Sequence, residues 1–279
     1  MSRELYTKNN LQLSRITTIN YSTSFSLGVR MLSRKIRGPI FAIYGFVRYA
    51  DEIVDTFYGY PREEMLEEFI EDTYKAIERG ISTNPILDSF QMIVNQYGIE
   101  REHIDAFLES MRMDLYNHNY GKEKVKNYIY GSAEVVGLMC LRVFYHDDDE
   151  KYESMKYYAR KLGEAFQKVN FLRDIQSDFS DRERIYFSDI SHNGFTSEVK
   201  QEIEEEIKHD FDEAYQGIKM LNKRARFGVY LAYIYYQRLF RKIRNSEPQV
   251  LMNGRIRIPN SRKIYLLFHA YLRNSMNLF

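Results

Sequence analysis

The chain has 279 residues, 44% of them hydrophobic, which is enough to bury a sizeable core. Forty Lys and Arg against 39 Asp and Glu leave a net charge of +1, so no overall basic excess marks a nucleic-acid binder. A single cysteine, Cys140, excludes an intrachain disulfide framework and suits a reducing compartment.

The amino terminus, MSRELYTKNNLQLSR, is polar and lacks the apolar segment of a secretory signal. The longest nearly unbroken apolar stretch, Pro39 to Val47, is too short to span a bilayer. The expectation is a cytoplasmic protein that is able to rest on a membrane surface. Gly38-Pro39 reads as a turn with proline at the first helical position, opening a helix through about Phe57. Pro61 starts a helix that ends near Gly80, and Asn84-Pro85 caps another that Gly98 closes. Helical periodicity predicts further helices near 101–117, 123–145, 151–179, 197–221, 225–244 and 261–276. The breaks are short, with no long linker and no repeat, so one all-α domain over 1–279 is expected. Cys140 lies in the apolar run VVGLMCLRVF and reads as a small buried hydrophobe. The 24 Tyr and 18 Phe are either ordinary core and surface filling or the lining of an apolar cavity.

Two aspartate pairs share one spacing: Asp51/Asp55 in YADEIVDTF and Asp174/Asp178 in FLRDIQSDF. Four residues is just over one helical turn, so each pair points to one side of its helix. Like charges there cost a few tenths of a kcal/mol, and aspartate is a poor helix former. A magnesium ion would justify the arrangement, because it binds one or two carboxylates together with substrate phosphates. Each pair also extends into a polar stripe on an otherwise apolar helix. Tyr44, Arg48, Asp51 and Asp55 form one, and Gln167, Asn170, Asp174 and Asp178 the other. Such stripes either face water or line an internal polar pocket. If they face each other, the carboxylates repel until cations and a diphosphate neutralise them, with Arg48 and Arg173 free to fork onto phosphate oxygens.

The segments YSTSFSLGVRML (21–32), FAIYGFVRYADEIVD (41–55), YIYGSAEVVGLMC (128–140) and FQKVNFLRDIQSDF…RIYF (166–187) resemble the squalene/phytoene synthase family, in motif order and separation, over most of the chain. The resemblance implies an all-α isoprenoid-synthase helical bundle with a central apolar cavity, and a head-to-head condensation of two prenyl diphosphates. It implies that Asp51, Asp55, Asp174 and Asp178 bind Mg²⁺ (Mn²⁺ as a substitute) and diphosphate, with Asn170 a further contact and Gln167 deeper in the pocket. Ser22, Ser24 and Phe25 match a flap that closes on substrate. Tyr44, Arg48 and Arg173 match diphosphate-pocket residues, and Tyr186, Tyr235 and Arg255 are assigned the same role. Tyr128, Val136 and Gly137 match residues beside the lipid tunnel, the glycine allowing close helix approach. Core packing is the alternative for Tyr235, and a basic surface loop the alternative for Arg255.

The short length and the lack of a Gly-rich dinucleotide fingerprint favour phytoene formation from C20 diphosphates without NADPH. Squalene or dehydrosqualene formation from C15 diphosphates is the near alternative. A non-catalytic scaffold and a terpene cyclase are rivals of other kinds; intact aspartates oppose the first, and the QxxNxxRD pattern fits the second poorly. Greasy substrates and product imply peripheral contact with a membrane.

Overall fold

The polar amino terminus folds as two helices, α1 (Ser2–Tyr21) and α2 (Thr23–Met31), in a computed structural model that describes residues 2–116, 121–180, 186 and 194–259. Sequence periodicity does not flag α1, because the residues it buries are Asn10, Ser14, Thr17 and Thr18. This polar face is held by hydrogen bonds: Asn10 Nδ2 donates to Asp88 at 2.8 Å, and the Ser14 and Ser89 hydroxyls meet at 2.6 Å. Both partners lie on α5 (Pro85–Tyr97).

Helix α3 (Arg34–Asp55) begins five residues before Pro39, so the proline lies inside the helix and does not open it. The bond it forfeits is the one to the Lys35 carbonyl, on an exposed residue in the first turn. Helices α4 (Arg62–Arg79) and α5 end on Gly80 and Gly98, both left-handed, as expected. After α6 (Arg101–Tyr116), the expected helix near 123–145 is divided. Helix α7 (Lys122–Ile129) runs into a π-helical turn (Tyr130–Glu134) and continues as α8 (Val135–Phe144). The wider π turn rotates the face that α8 presents, a local device common at functional sites. Helices α9 (Asp149–Ser180), α10 (Ser197–Met220), α11 (Arg226–Arg244) and the short α12 (Pro248–Met252) complete the described chain, which contains no strand. The helix expected at 261–276 lies outside the described residues.

One large apolar cluster gathers around α3–α6, with Phe46 stacked on Phe90 at 3.8 Å, and a second around α9–α11. Between them lies an apolar cavity of about 270 Å³, bounded by α2, α3, the π turn, α8, α9, α10 and α11. Its walls are thin where helices cross. A Cβ on Gly137 would stand 2.9 Å from the Ala159 carbonyl, and one on Gly163 2.6 Å from that of Ala133, so α9 packs backbone-to-backbone on α8 and the π turn.

Candidate active site

Each polar stripe supplies one residue to the cavity lining, Tyr44 on α3 and Asn170 on α9, and its charged members follow further along the same helix. On one wall, Tyr44 and Val47 of α3 line the space, and Phe25 of α2 stacks on Tyr44 with ring centroids 4.8 Å apart. Ser22 has two partners: it caps α2 by accepting from the Phe25 amide at 3.3 Å, and it hydrogen-bonds the Tyr44 side chain. Ser24 is half-buried on the same helix. One turn beyond Tyr44, Arg48 donates to Asp51 at 2.5 Å, pairs with Glu52, and lies over the Tyr21 ring at 4.3 Å. Its Nε is buried without an acceptor among the described residues, a donor left over after these contacts. Asp55 closes α3 one turn further on.

On the other wall, Phe166 and Asn170 of α9 line the cavity. Asn170 accepts from the Tyr236 hydroxyl at 3.3 Å and donates to Gln167 at 3.5 Å, and Gln167 donates to Ser132 of the π turn at 3.2 Å. Arg173 grips Asp174 with two donors, at 2.9 and 2.5 Å. Arg255 reaches the same carboxylate from beyond α12, Nε lying 2.8 Å from Oδ1. Asp178 is buried one turn later on α9. Tyr236 also stacks on Phe166 at 3.9 Å and lies within electrostatic range of both Tyr44 and Arg173. Tyr44, Tyr236 and Asn170 therefore link the two walls at the end of the cavity where the charged residues gather.

Burial sets the protonation here. It pushes the Tyr44 phenol up to about 12 against the pull of Arg48, and it raises Tyr236 as well. Both remain neutral O–H donors and cannot act as bases near pH 7. Burial alone would lower the Arg173 guanidinium, but the hydrogen bonds and charge of Asp174 outweigh it and hold the group up. The result is an apolar chamber with cationic forks and phenolic donors at one end, suited to a molecule with a hydrocarbon tail and an anionic head.

Several residues singled out from the sequence lie elsewhere. Val136 and Gly137 line the cavity, whereas Tyr128 and Tyr186 pack outside its wall. Their hydroxyls converge on Asp114, at 2.8 and 3.4 Å, and Phe171 stacks on Tyr186 at 4.0 Å. Phe171 follows Asn170 on α9, so this cluster lies behind the polar stripe. Tyr235 stands edge-on to Tyr236 and interacts with Arg173. Sequence reasoning passed over Tyr236, Tyr21, Ser132 and Asp114. The YY pair in AYIYYQRL was a signal for Tyr236, but only packing decides which ring enters the cavity.

A family model described as squalene/phytoene synthase matches residues 19–262. The 15-cis-phytoene synthase of Synechocystis sp. is 28% identical, over 94% of this chain and 84% of its own length. The 4,4'-diapophytoene synthase of Staphylococcus haemolyticus is 25% identical, over 92% and 95% respectively. Among solved structures, a dehydrosqualene synthase in complex with ligand superposes with a TM-score of 0.81 at 20% identity, covering 96% of this chain and 98% of that one. This last likeness concerns the fold.

Proposed function

The chain belongs to the squalene/phytoene synthase family, whose members act on prenyl diphosphates, and we propose that it joins two geranylgeranyl diphosphates head to head into phytoene, a step of carotenoid biosynthesis. The observation that carries this reading is the apolar cavity closed at one end by Tyr44, Tyr236 and Asn170, with Arg48 and Asp51 on one side and Arg173, Asp174 and Arg255 on the other. Supporting C20 substrates is the named activity of the Synechocystis relative. The Staphylococcus haemolyticus relative supports the C15 alternative.

Among the described residues, no three His, Cys, Asp or Glu side chains converge to enclose a metal ion. The carboxylates lie instead in pairs on two helices, a donor set that fits Mg²⁺, which takes one or two carboxylates per ion and fills its other positions with diphosphate oxygens and water. Asp51 and Asp55 on one wall, and Asn170, Asp174 and Asp178 on the other, would hold it, with Mn²⁺ as a substitute. When bound, it neutralises the charge that builds on a departing diphosphate.

The residues of the chain do the rest. Arg48, Arg173 and Arg255 now neutralise aspartates, and their guanidinium forks are matched to diphosphate oxygens. The unpartnered Nε of Arg48 is one donor for which a diphosphate oxygen would supply the missing acceptor. Tyr44 and Tyr236 donate O–H bonds at the same end. Ionisation of the first diphosphate leaves an allylic cation, which the double bond of the second substrate attacks. Loss of a proton then closes a cyclopropane that retains one diphosphate. Departure of that group, ring rearrangement and loss of another proton give the central double bond without a hydride from NADPH. The faces of Phe25, Tyr44, Phe166 and Tyr236 stabilise the cation, and the apolar walls exclude water that would trap it.

The reaction belongs in the cytoplasm at a bilayer, since both tails and product are hydrocarbon; no described helix is long and apolar enough to cross a membrane. The test is incubation of purified protein with C20 or C15 diphosphate, with and without Mg²⁺ and NADPH, before extraction of the product. Phytoene from C20, requiring Mg²⁺ but not NADPH, is expected. Squalene formed only with NADPH would overturn the reading, and no diphosphate release from either substrate would point to a scaffold.

A further inference from the structure

The near-zero net charge hides an uneven distribution. From Leu5 to Ala50 the chain has no Asp or Glu, yet carries Lys8, Arg15, Arg30, Arg34, Lys35 and Arg37 besides Arg48 of the site. A second acid-free stretch, Ala214 to Ser246, supplies Lys223 and Arg224 between α10 and α11. The fold joins the two: the Ser33 amide donates to the Arg224 carbonyl at 2.8 Å. Helix α1 runs alongside α3 in the same direction, with Ser14 against Gly45 and Tyr21 against Arg48. Lys8 and Arg15 therefore flank the start of α3, around a groove of about 540 Å³ that also takes in Arg37 and Phe41 and contains one acid, Glu4. Lys8, Arg15, Arg30, Arg34 and Lys35 are exposed, and none has an acidic partner among the described residues.

Two further observations separate this patch from ordinary solvated charge. Leu5 and Ile16 are 66% and 49% exposed, and their spacing from Lys8, Gln12 and Arg15 puts them on the same outward face of α1. Beneath the patch is the inner end of the cavity: Leu32 and Ile40 line it, and Arg37 Nε donates to the Leu32 carbonyl at 2.6 Å. Basic side chains interleaved with exposed aliphatic ones on a helix face match an anionic bilayer, which takes both the charge and the apolar groups. A nucleic acid would take the charge and leave Leu5 and Ile16 in water.

We infer that the outer face of α1, together with the α2–α3 connection, is a docking surface for an anionic lipid bilayer. The inner, hydrocarbon end of the cavity then faces the membrane. The eighteen residues from Arg34 to Asp51 separate the α2–α3 connection from the diphosphate-binding end by about 25 Å along α3. The benefit of this orientation rests on the proposed reaction; the binding does not.

The experiment is flotation with vesicles of phosphatidylcholine, alone or with 30 mol% phosphatidylglycerol. The chain is expected to float only with the anionic vesicles and to be released by 0.5 M NaCl, a readout that needs no variant. Each neutralised cation should weaken partition about fivefold, the equivalent of about 1 kcal/mol. R34Q/K35Q should therefore lose about 25-fold, and K8Q/R15Q/R34Q/K35Q several hundred-fold, with melting temperature and activity on detergent-dispersed substrate unchanged. K75Q/K208Q, an equal charge change elsewhere, should stay within about twofold of wild type. Equal binding to neutral vesicles, an equal loss in the control pair, or tighter capture by RNA than by vesicles would each overturn the inference. A chain that floats as expected but releases no diphosphate would refute the proposed reaction and leave this surface standing.

Discussion

Replacing Gly163 with alanine tests how closely the site depends on the placement of α9. A Cβ there would lie 2.6 Å from the Ala133 carbonyl oxygen, 2.9 Å from its carbon and 3.0 Å from Glu134 Cα. An ordinary carbon–oxygen contact is about 3.3 Å or more, so α9 must retreat from the π turn by roughly 0.7 Å. Alanine gains up to about 1 kcal/mol of helix propensity, whereas overpacking costs about 1–3 kcal/mol. The cost wins, leaving a net loss of about 1–2 kcal/mol and a melting temperature lower by roughly 2–8 °C. Gln167, Asn170 and Asp174 move with the helix. A displacement near 1 Å costs about 100-fold in rate, so kcat for product formation should fall by roughly 10- to 100-fold. Thermal melting and steady-state assays well below the transition measure both. Gly38→Ala is the control, since a Cβ there meets nothing within 4 Å; it should melt at or above wild type with full activity. G163A indistinguishable from wild type, or G38A equally impaired, would refute the reasoning.

Tyr236→Phe removes the hydroxyl that donates to Asn170; kcat/KM should fall about 5- to 30-fold, from the roughly 1–2 kcal/mol of one buried hydrogen bond, with little change in melting temperature. Cys140 opens onto the cavity, and burial pushes its thiol up to about 12, so at pH 8 its thiolate fraction is on the order of 10⁻⁴. Labelling by a disulfide reagent should be roughly a thousandfold slower in the native chain than in denaturant, and rapid native labelling would contradict the burial. Glu100 is a stability determinant outside the candidate site: burial would raise its carboxyl, but the His103 ring, Nδ1 lying 3.3 Å from it, and a hydrogen bond from Arg142 outweigh that and hold it well below the usual range. Its contribution is therefore present above the unfolded value near 4.5 and lost as pH falls below it. Glu100→Gln should cost about 1–3 kcal/mol in urea unfolding at pH 7 and much less near pH 3.

The long helices were legible because most are amphipathic with clear stops, such as Asn84-Pro85 and Gly98. Helix α1 was not, since its packed face is polar and its partners on α5 are more than seventy residues away. Pro39 misled because a proline one turn inside a helix costs little when the orphaned carbonyl is exposed. The π turn leaves no periodic trace, and it is what presents Ser132, Ala133, Val136 and Gly137 to the cavity. In the site, both aspartate stripes could be read from spacing, and Arg255 from a loose pattern now seen to end on Asp174. The Tyr128–Tyr186–Asp114 cluster could not, because Tyr128 and Tyr186 stand 14 and 72 residues from Asp114. Nor could the choice of Tyr236 over Tyr235, which depends on how α11 rotates against α9.

The most direct measurement is a crystal structure of the chain with Mg²⁺ and a non-ionising thio-analogue of geranylgeranyl diphosphate. One diphosphate should lie between the walls, within hydrogen-bond reach of Arg48 on one side and of Arg173 or Arg255 on the other, its tail running past Val136 and Gly137 toward Leu32. A head group held by one wall alone, or a tail left outside the cavity, would contradict the account.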